Sequence, residues 1–122
     1  MTNTATQRPA TRQTVTAGQV VIGPDRHHAD GTGRRPWLVL QVSGDQAYVA
    51  ELTHSPQGTW VTDELPTAAH DHSYLALVDW RTGEWMPRWV PTATLDRYRR
   101  QLSRRSREAA LDAAAQAYAR RR

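Results

Sequence analysis

The feature that most restricts this chain is a pair of apolar runs separated by a four-residue turn. Residues 37–42 read Trp-Leu-Val-Leu-Gln-Val and residues 47–53 read Ala-Tyr-Val-Ala-Glu-Leu-Thr, with Ser43-Gly44-Asp45-Gln46 between them. Short β-rich runs joined by Gly and Asp at turn spacing form antiparallel hairpins. The same grammar extends to residue 91. Residues 19–22 form a short β-branched strand, and the polar, Gly-containing stretch 23–35 is a loop. Residues 59–62 follow the turn Ser55-Pro56-Gln57-Gly58, and 63–71 are loop-like. Residues 73–80 have the composition of a strand covered on both faces, and Arg81-Thr82-Gly83-Glu84 turns it toward 85–90. Pro87 places that last strand at an edge, because proline cannot donate to a ladder. Five or six short strands with tight turns predict a small, strongly bent antiparallel sheet or barrel.

After Pro91 the period changes. Thr92 or Thr94 caps a short helix on which Leu95, Tyr98 and Leu102 fall at i, i+3 and i+7. Ser106 caps a second helix, whose Ala110, Leu111, Ala114, Ala115 and Tyr118 form a narrow face of mostly small residues suited to close packing. The fold class expected is therefore mainly β with C-terminal helices. Residues 1–17 read as a disordered tail, 18–91 as the β domain, and 92–122 as an Arg-rich helical segment packed on it.

A length of 122 residues suits one domain, and 39% apolar residues with five Trp and four Tyr can fill a core without Phe. Cysteine is absent, which excludes disulfides, thiolate-bound metals and thiol nucleophiles. No apolar run approaches the ~20 residues that cross a bilayer, and residues 1–17 lack the hydrophobic centre of a signal peptide. A soluble, cytoplasmic protein is expected.

All 16 basic residues are Arg, and they are unevenly placed. Residues 1–96 hold seven Arg against ten acids, whereas residues 97–122 hold nine Arg against Glu108 and Asp112. Guanidinium groups grip phosphates through a bidentate fork, so nucleic acid, or an acidic protein, is the first partner class to consider. The plainer alternative is a solvated helix face.

Two polar clusters, His27-His28 with Asp30 and His70-Asp71-His72, fall in expected loops. Neither has helical ligand spacing, so solvated His is the favoured reading and no metal is expected. Gly31-Thr32-Gly33 precedes a strand rather than a helix, which removes the context of a phosphate loop. The Trp residues fill the core or form a stacking platform for single-stranded bases. Trp80, Trp85 and Trp89 straddle one hairpin and cannot all face inward, so Trp85 or Trp89 is expected to expose a ring.

The sharpest site signal surrounds Arg34-Arg35-Pro36. An Arg pair at the mouth of a long loop enters a buried strand whose partner ends in Leu52-Thr53-His54-Ser55. In an antiparallel pair the start of one strand lies beside the end of the other, so Arg35 and Thr53 should be neighbours. A guanidinium and a hydroxyl converging at one sheet end make a phosphate site. The alternative is an Arg35 that pairs with a carboxylate such as Asp30 or Glu51.

In order, these segments resemble the PemK/MazF-type toxin family. The pattern is a Gly-containing first strand (Gly18-Gln19-Val20-Val21-Ile22), then Arg35-Pro36-Trp37-Leu38-Val39-Leu40, then Ala50-Glu51-Leu52-Thr53-His54-Ser55. A Ser-led strand, Ser73-Tyr74-Leu75-Ala76-Leu77, and a closing helix complete it, so the similarity spans approximately residues 18–118. The resemblance implies an SH3-like barrel, a homodimer, and a metal-independent endoribonuclease without a cofactor, neutralised by an antitoxin. It maps the catalytic pair onto Arg35 and Thr53. The implied chemistry is attack of a ribose 2′-hydroxyl on the adjacent phosphate, leaving a 2′,3′-cyclic phosphate and a 5′-hydroxyl. His28, His54 and Ser55 are candidate auxiliaries, since His titrates near neutral pH. Arg34, Trp85, Trp89, Arg97, Arg99, Arg100 and Arg104 are candidate contacts to single-stranded RNA. The rival classes are a non-catalytic nucleic-acid or protein-binding module on the same fold, and an interaction subunit that docks a partner through Trp85, Met86 and Trp89.

Overall fold

The computed structural model describes residues 14–24, 34–53, 59–62 and 73–121. Among these residues seven strands appear: β1 Val20–Pro24, β2 Arg34–Ser43, β3 Gln46–Thr53, β4 Thr59–Thr62, β5 Ser73–Leu75, β6 Arg88–Pro91 and β7 Asp96–Arg97. A 3-10 turn, Thr92–Thr94, lies between β6 and β7, and one α-helix, α1, spans Arg104–Arg120. The strands form a single antiparallel sheet in the order β4-β5-β3-β2-β1-β7. β6 branches off to pair with the first half of β3.

The expected hairpin is the spine. β2 and β3 close on Ser43↔Gln46, with Gly44 at φ +59, a left-handed conformation in which glycine carries no Cβ penalty. The outer edge of β3 is shared, because Gln46–Val49 pair with β6 and Leu52–Thr53 pair with β5. At the other side β1 pairs with β7 through Val21↔Arg97 and Ile22↔Asp96. β6 and β7 therefore lie at opposite margins of the β3-β2-β1 meander, joined only by the 3-10 turn. That turn is tied to the hairpin tip, where Thr92 N–H donates to Asp45 O (2.8 Å). The chain bends around the sheet, but no ladder joins β6 to β7, so the barrel is not closed.

Alternation along the strands sends side chains into two cores. Val20, Leu38, Ala50, Leu52, Leu75 and Leu77 face α1 and meet Leu102, Ala110 and Ala114. Val21, Trp37, Val39, Ala47 and Val49 face the other way and meet Leu95. These are called the helix face and the Trp37 face below. A register shift between Val39 and Gln41 breaks the alternation. Such a bulge sets two residues against one, and here both Leu40 and Gln41 line a groove on the helix face.

The C-terminal part differs from the two expected helices. The stripe Leu95, Tyr98, Leu102 is not helical: Leu95 packs on the Trp37 face and Leu102 on the helix face, in an extended segment. The edge of β1 decides this, because its unpaired peptide groups require partners. β7 supplies two register positions, and Tyr98 N–H donates to Val20 O (3.1 Å). Gln101 completes the edge, accepting from Val20 N–H at 2.7 Å and donating through Nε2 to Val20 O (2.8 Å) and Tyr98 O (2.7 Å). The helix then begins earlier than expected, with Ser103 rather than Ser106 as its cap: Ser103 Oγ accepts from Ser106 N–H at 3.2 Å. Its buried contacts are the small residues Ala110 and Ala114.

Gly18 lets α1 approach. Its φ is +89, and a Cβ there would overlap Cγ and Cδ of Arg107. Its N–H donates to Val39 O (2.7 Å), extending the sheet one step before β1. Within the expected tail, Val15 packs against the Trp37-face core. Residues 1–13 lie outside the described part.

The strand expected over 73–80 is shorter than its composition suggested. Pairing stops at Leu75, and Val78↔Trp85 is an isolated bridge beyond it. The turn at 81–84 forms as expected, with Gly83 at φ +76 and Gly83 N–H donating to Asp79 O (2.7 Å). No helix among the described residues is long and apolar enough to cross a membrane.

Candidate nucleic-acid interface

Arg35 enters from β2, opposite Gly23 of β1. The ladder between β2 and β3 ends at Trp37↔Glu51. Arg35 and Thr53 each lie two residues beyond that pair, so strand alternation puts both on the Trp37 face at one end of the sheet. Arg35 Nε stands 3.9 Å from Glu51 Oε2, with the arginine side chain 35% exposed and the glutamate only 10%. The carboxylate alternative is therefore realised with Glu51. The buried carboxylate gives the half-exposed guanidinium a fixed partner at the end of the sheet.

Two further arginines converge on the same face. Arg88 of β6 pairs in register with Val49, and its guanidinium lies over the Trp37 ring at 5.3 Å from the centroid. Arg97 of β7 pairs with Val21, which itself pairs with Trp37. Trp37 is 3% exposed, and its indole Nε1–H has no hydrogen-bond partner among the described residues. Beside it a small cleft of about 180 Å³ runs between Trp37, Arg88, Thr94 and Leu95. Three arginines therefore share the Trp37 face, each carried by a strand rather than a loop.

The other sequence candidates are spread more widely. Arg99 and Arg100 are exposed between β7 and α1, not on a helix. Arg104 opens α1 and pairs with Glu108 through Nε at 3.2 Å, an exposed i,i+4 contact. The expected Arg-rich helical stripe thus becomes an extended strip that leads into the helix. Of Arg34 only the backbone is described, paired with Pro24. His28, His54 and Ser55 lie outside the described residues, as do all five histidines and the glycines of 31–33. Among the described residues no group of three or more His, Cys, Asp or Glu could hold a metal ion.

Of the two tryptophans of which one was expected to be bare, Trp89 is the exposed one. Trp85 is partly buried against the helix-face core, whereas Trp80 is 67% exposed and Trp89 44% exposed. Trp80 was not among the rings expected to be bare; it sits at the tip of the 79–84 turn, beyond the reach of either core. Trp85 and Trp89 are on the helix side of the sheet and do not border the Arg35 cluster.

Sequence reasoning missed Arg88 and understated Glu51. Glu51 carried a signal, since it is the one charged residue of its strand. Arg88 carried none, because its place depends on the register of β6 against β3. No protein-family model matches the chain, and neither does any curated protein or solved structure.

Proposed function

We propose that this protein is a toxin-like, metal-independent endoribonuclease that cleaves single-stranded RNA at the Arg35 end of the Trp37 face. The observation that carries the reading is that register puts Arg35, Arg88 and Arg97 on the one face that also carries Thr53, with Arg35 beside Glu51. The connectivity supports an SH3-like fold for it: a strand, a 3-10 turn and a last strand paired to the first, around a three-stranded meander.

In the reaction the 2′-oxygen forms a bond to phosphorus as the 5′-oxygen leaves. The proton lost at O2′ is balanced by one gained at O5′, so no water is consumed. Charge grows on the phosphoryl oxygens during this step, and Arg35 meets it. Thr53 positions the scissile linkage, and Glu51 orients Arg35 without touching the substrate. Arg88 and Arg97 bind flanking phosphates. A homodimer, an antitoxin partner and a cytoplasmic setting belong to the same reading, through the family resemblance.

The test is incubation of the pure protein with a long single-stranded RNA in EDTA, beside Arg35→Ala. Cleavage leaving cyclic phosphate and 5′-hydroxyl ends, lost in the variant, is expected; cleavage that persists in the variant overturns the mechanism. The Arg35–Glu51 contact favours a second reading, a non-catalytic RNA-binding module in which Arg35 is structural. That reading stands if RNA binds with no cleavage and Arg35→Ala leaves its affinity unchanged.

A further inference from the structure

The helix side of the sheet holds a larger cavity, about 430 Å³, between α1 and the segment carrying Trp85 and Trp89. This volume is within the range of small-ligand sites, roughly 300–1,000 Å³. Four aromatic rings furnish it, and they are fixed to one another. Trp85 Nε1–H donates to Tyr48 Oη at 2.6 Å, Tyr48 packs on Trp89 with centroids 5.0 Å apart, and Trp85 meets Tyr118 edge-on at 5.6 Å. Trp89 and Tyr118 nonetheless stay 44% and 48% exposed, so the cluster keeps ring surface open.

Arg121 closes one end. Its guanidinium lies 4.3 Å from the Tyr118 centroid and 5.5 Å from that of Trp85. Among the described residues no acidic side chain lines the cavity, and Arg121 is the charged group there. Gln41, turned to this side by the β2 bulge, adds an amide that can both donate and accept.

We propose that this cavity binds a nucleotide, with the base stacked on Trp89, its edge read by Gln41, and the phosphate on Arg121. Each component of that ligand answers one element of the site. Sequence-tolerant stacking needs an open indole fixed by its neighbours, which the Tyr48 contact provides. A phosphate needs a planar, charged donor, and Arg121 is exposed and stacked against two rings. A quaternary ammonium guest would instead compete with Arg121 for the same ring faces and meet a like charge. The proposal does not rest on RNA cleavage, since the cavity and the Arg35 cluster lie on opposite faces of the sheet.

Adenosine 5′-monophosphate is the probe, followed by tryptophan fluorescence and calorimetry on the full chain. It should bind at one site, about tenfold more tightly than adenosine, with inorganic phosphate alone weaker than either. Arg121→Gln, an exposed change at the helix end, should bring the nucleotide down to the adenosine level. Trp89→Ala should weaken nucleotide and nucleoside alike by about tenfold, given the usual cost of losing one stacking ring. Equal affinity for adenosine and its monophosphate, no effect of Arg121→Gln, or tighter binding of tetramethylammonium would overturn the proposal. A single-stranded oligoribonucleotide, tested on the Arg35→Ala chain, distinguishes the source. If it displaces the mononucleotide the ligand is a nucleotide within RNA; if it does not, the ligand is a free nucleotide. Because the Arg35→Ala chain should retain mononucleotide binding, loss of cleavage and loss of this site are read separately.

Discussion

The two sides of the sheet are built from alternate residues of the same strands, yet they are closed in opposite ways. On the helix face, Leu38, Leu52, Leu75 and Leu77 are covered by Ala110 and Ala114, an apolar lid of small residues. On the Trp37 face the core is smaller and is bordered by arginines: Arg35 at the sheet end, Arg88 over the Trp37 ring, Arg97 across β1. The difference separates tasks. Burial on the first face provides most of the stability, because each fully covered aliphatic side chain contributes about 1.5–3 kcal/mol. Charge retained on the second is what the proposed RNA site requires.

If that division is right, substitutions on the two faces should change different observables. The largest effect is expected at Arg35: Arg35→Ala should lower RNA cleavage by about 100- to 1,000-fold, the scale of losing one donor to a developing oxyanion, as measured by end analysis of a defined RNA. A comparable loss from a helix-face substitution that preserves folding would break the comparison. Next, Leu38→Ala should destabilise the fold by about 3 kcal/mol through lost burial and a residual cavity, measured by chemical denaturation. Gln101→Ala should cost about 2 kcal/mol, since it leaves the buried Val20 peptide group without its side-chain partners. Gly18→Ala should cost about 1–2 kcal/mol, because alanine resists the left-handed region and its methyl group would displace Arg107. The smallest effect sharpens the assignment of the arginines. Arg88→Ala and Arg97→Ala should each flatten the salt dependence of single-stranded RNA binding by about 0.7 log units per decade of salt, with little change in stability. An unchanged slope would remove those residues from the interface.

Much of the sheet was legible because its signals are local. The hairpin from residue 34 to 53 announces itself by two apolar runs and a glycine turn, and the 81–84 turn by Gly83. The segment after residue 94 was misleading for a physical reason. Leu95, Tyr98 and Leu102 have helical spacing, but the open edge of β1 offered peptide partners that a helix would have left unmet, and tertiary pairing overrode the local pattern. The candidate site was legible to the same extent. Arg35 and Thr53 could be placed at one sheet end from strand order alone, whereas Arg88 and Arg97 join them only through the register of short strands distant in sequence. The aromatic cavity was only half visible, since Trp85 and Trp89 were evident, but Tyr48 meets Trp89 through the register of β6 against β3, and Tyr118 and Arg121 arrive with the docking of α1.

Gln101 also has a consequence for the molecule's behaviour in a crowd. Exposed strand margins are templates onto which other chains can grow, and natural sheets protect them. Here a carboxamide imitates a peptide group at Val20, where β7 has ended, so the rim of β1 is occupied from Val20 through Ile22. One side chain thus guards against intermolecular strand addition at the point where the backbone runs out.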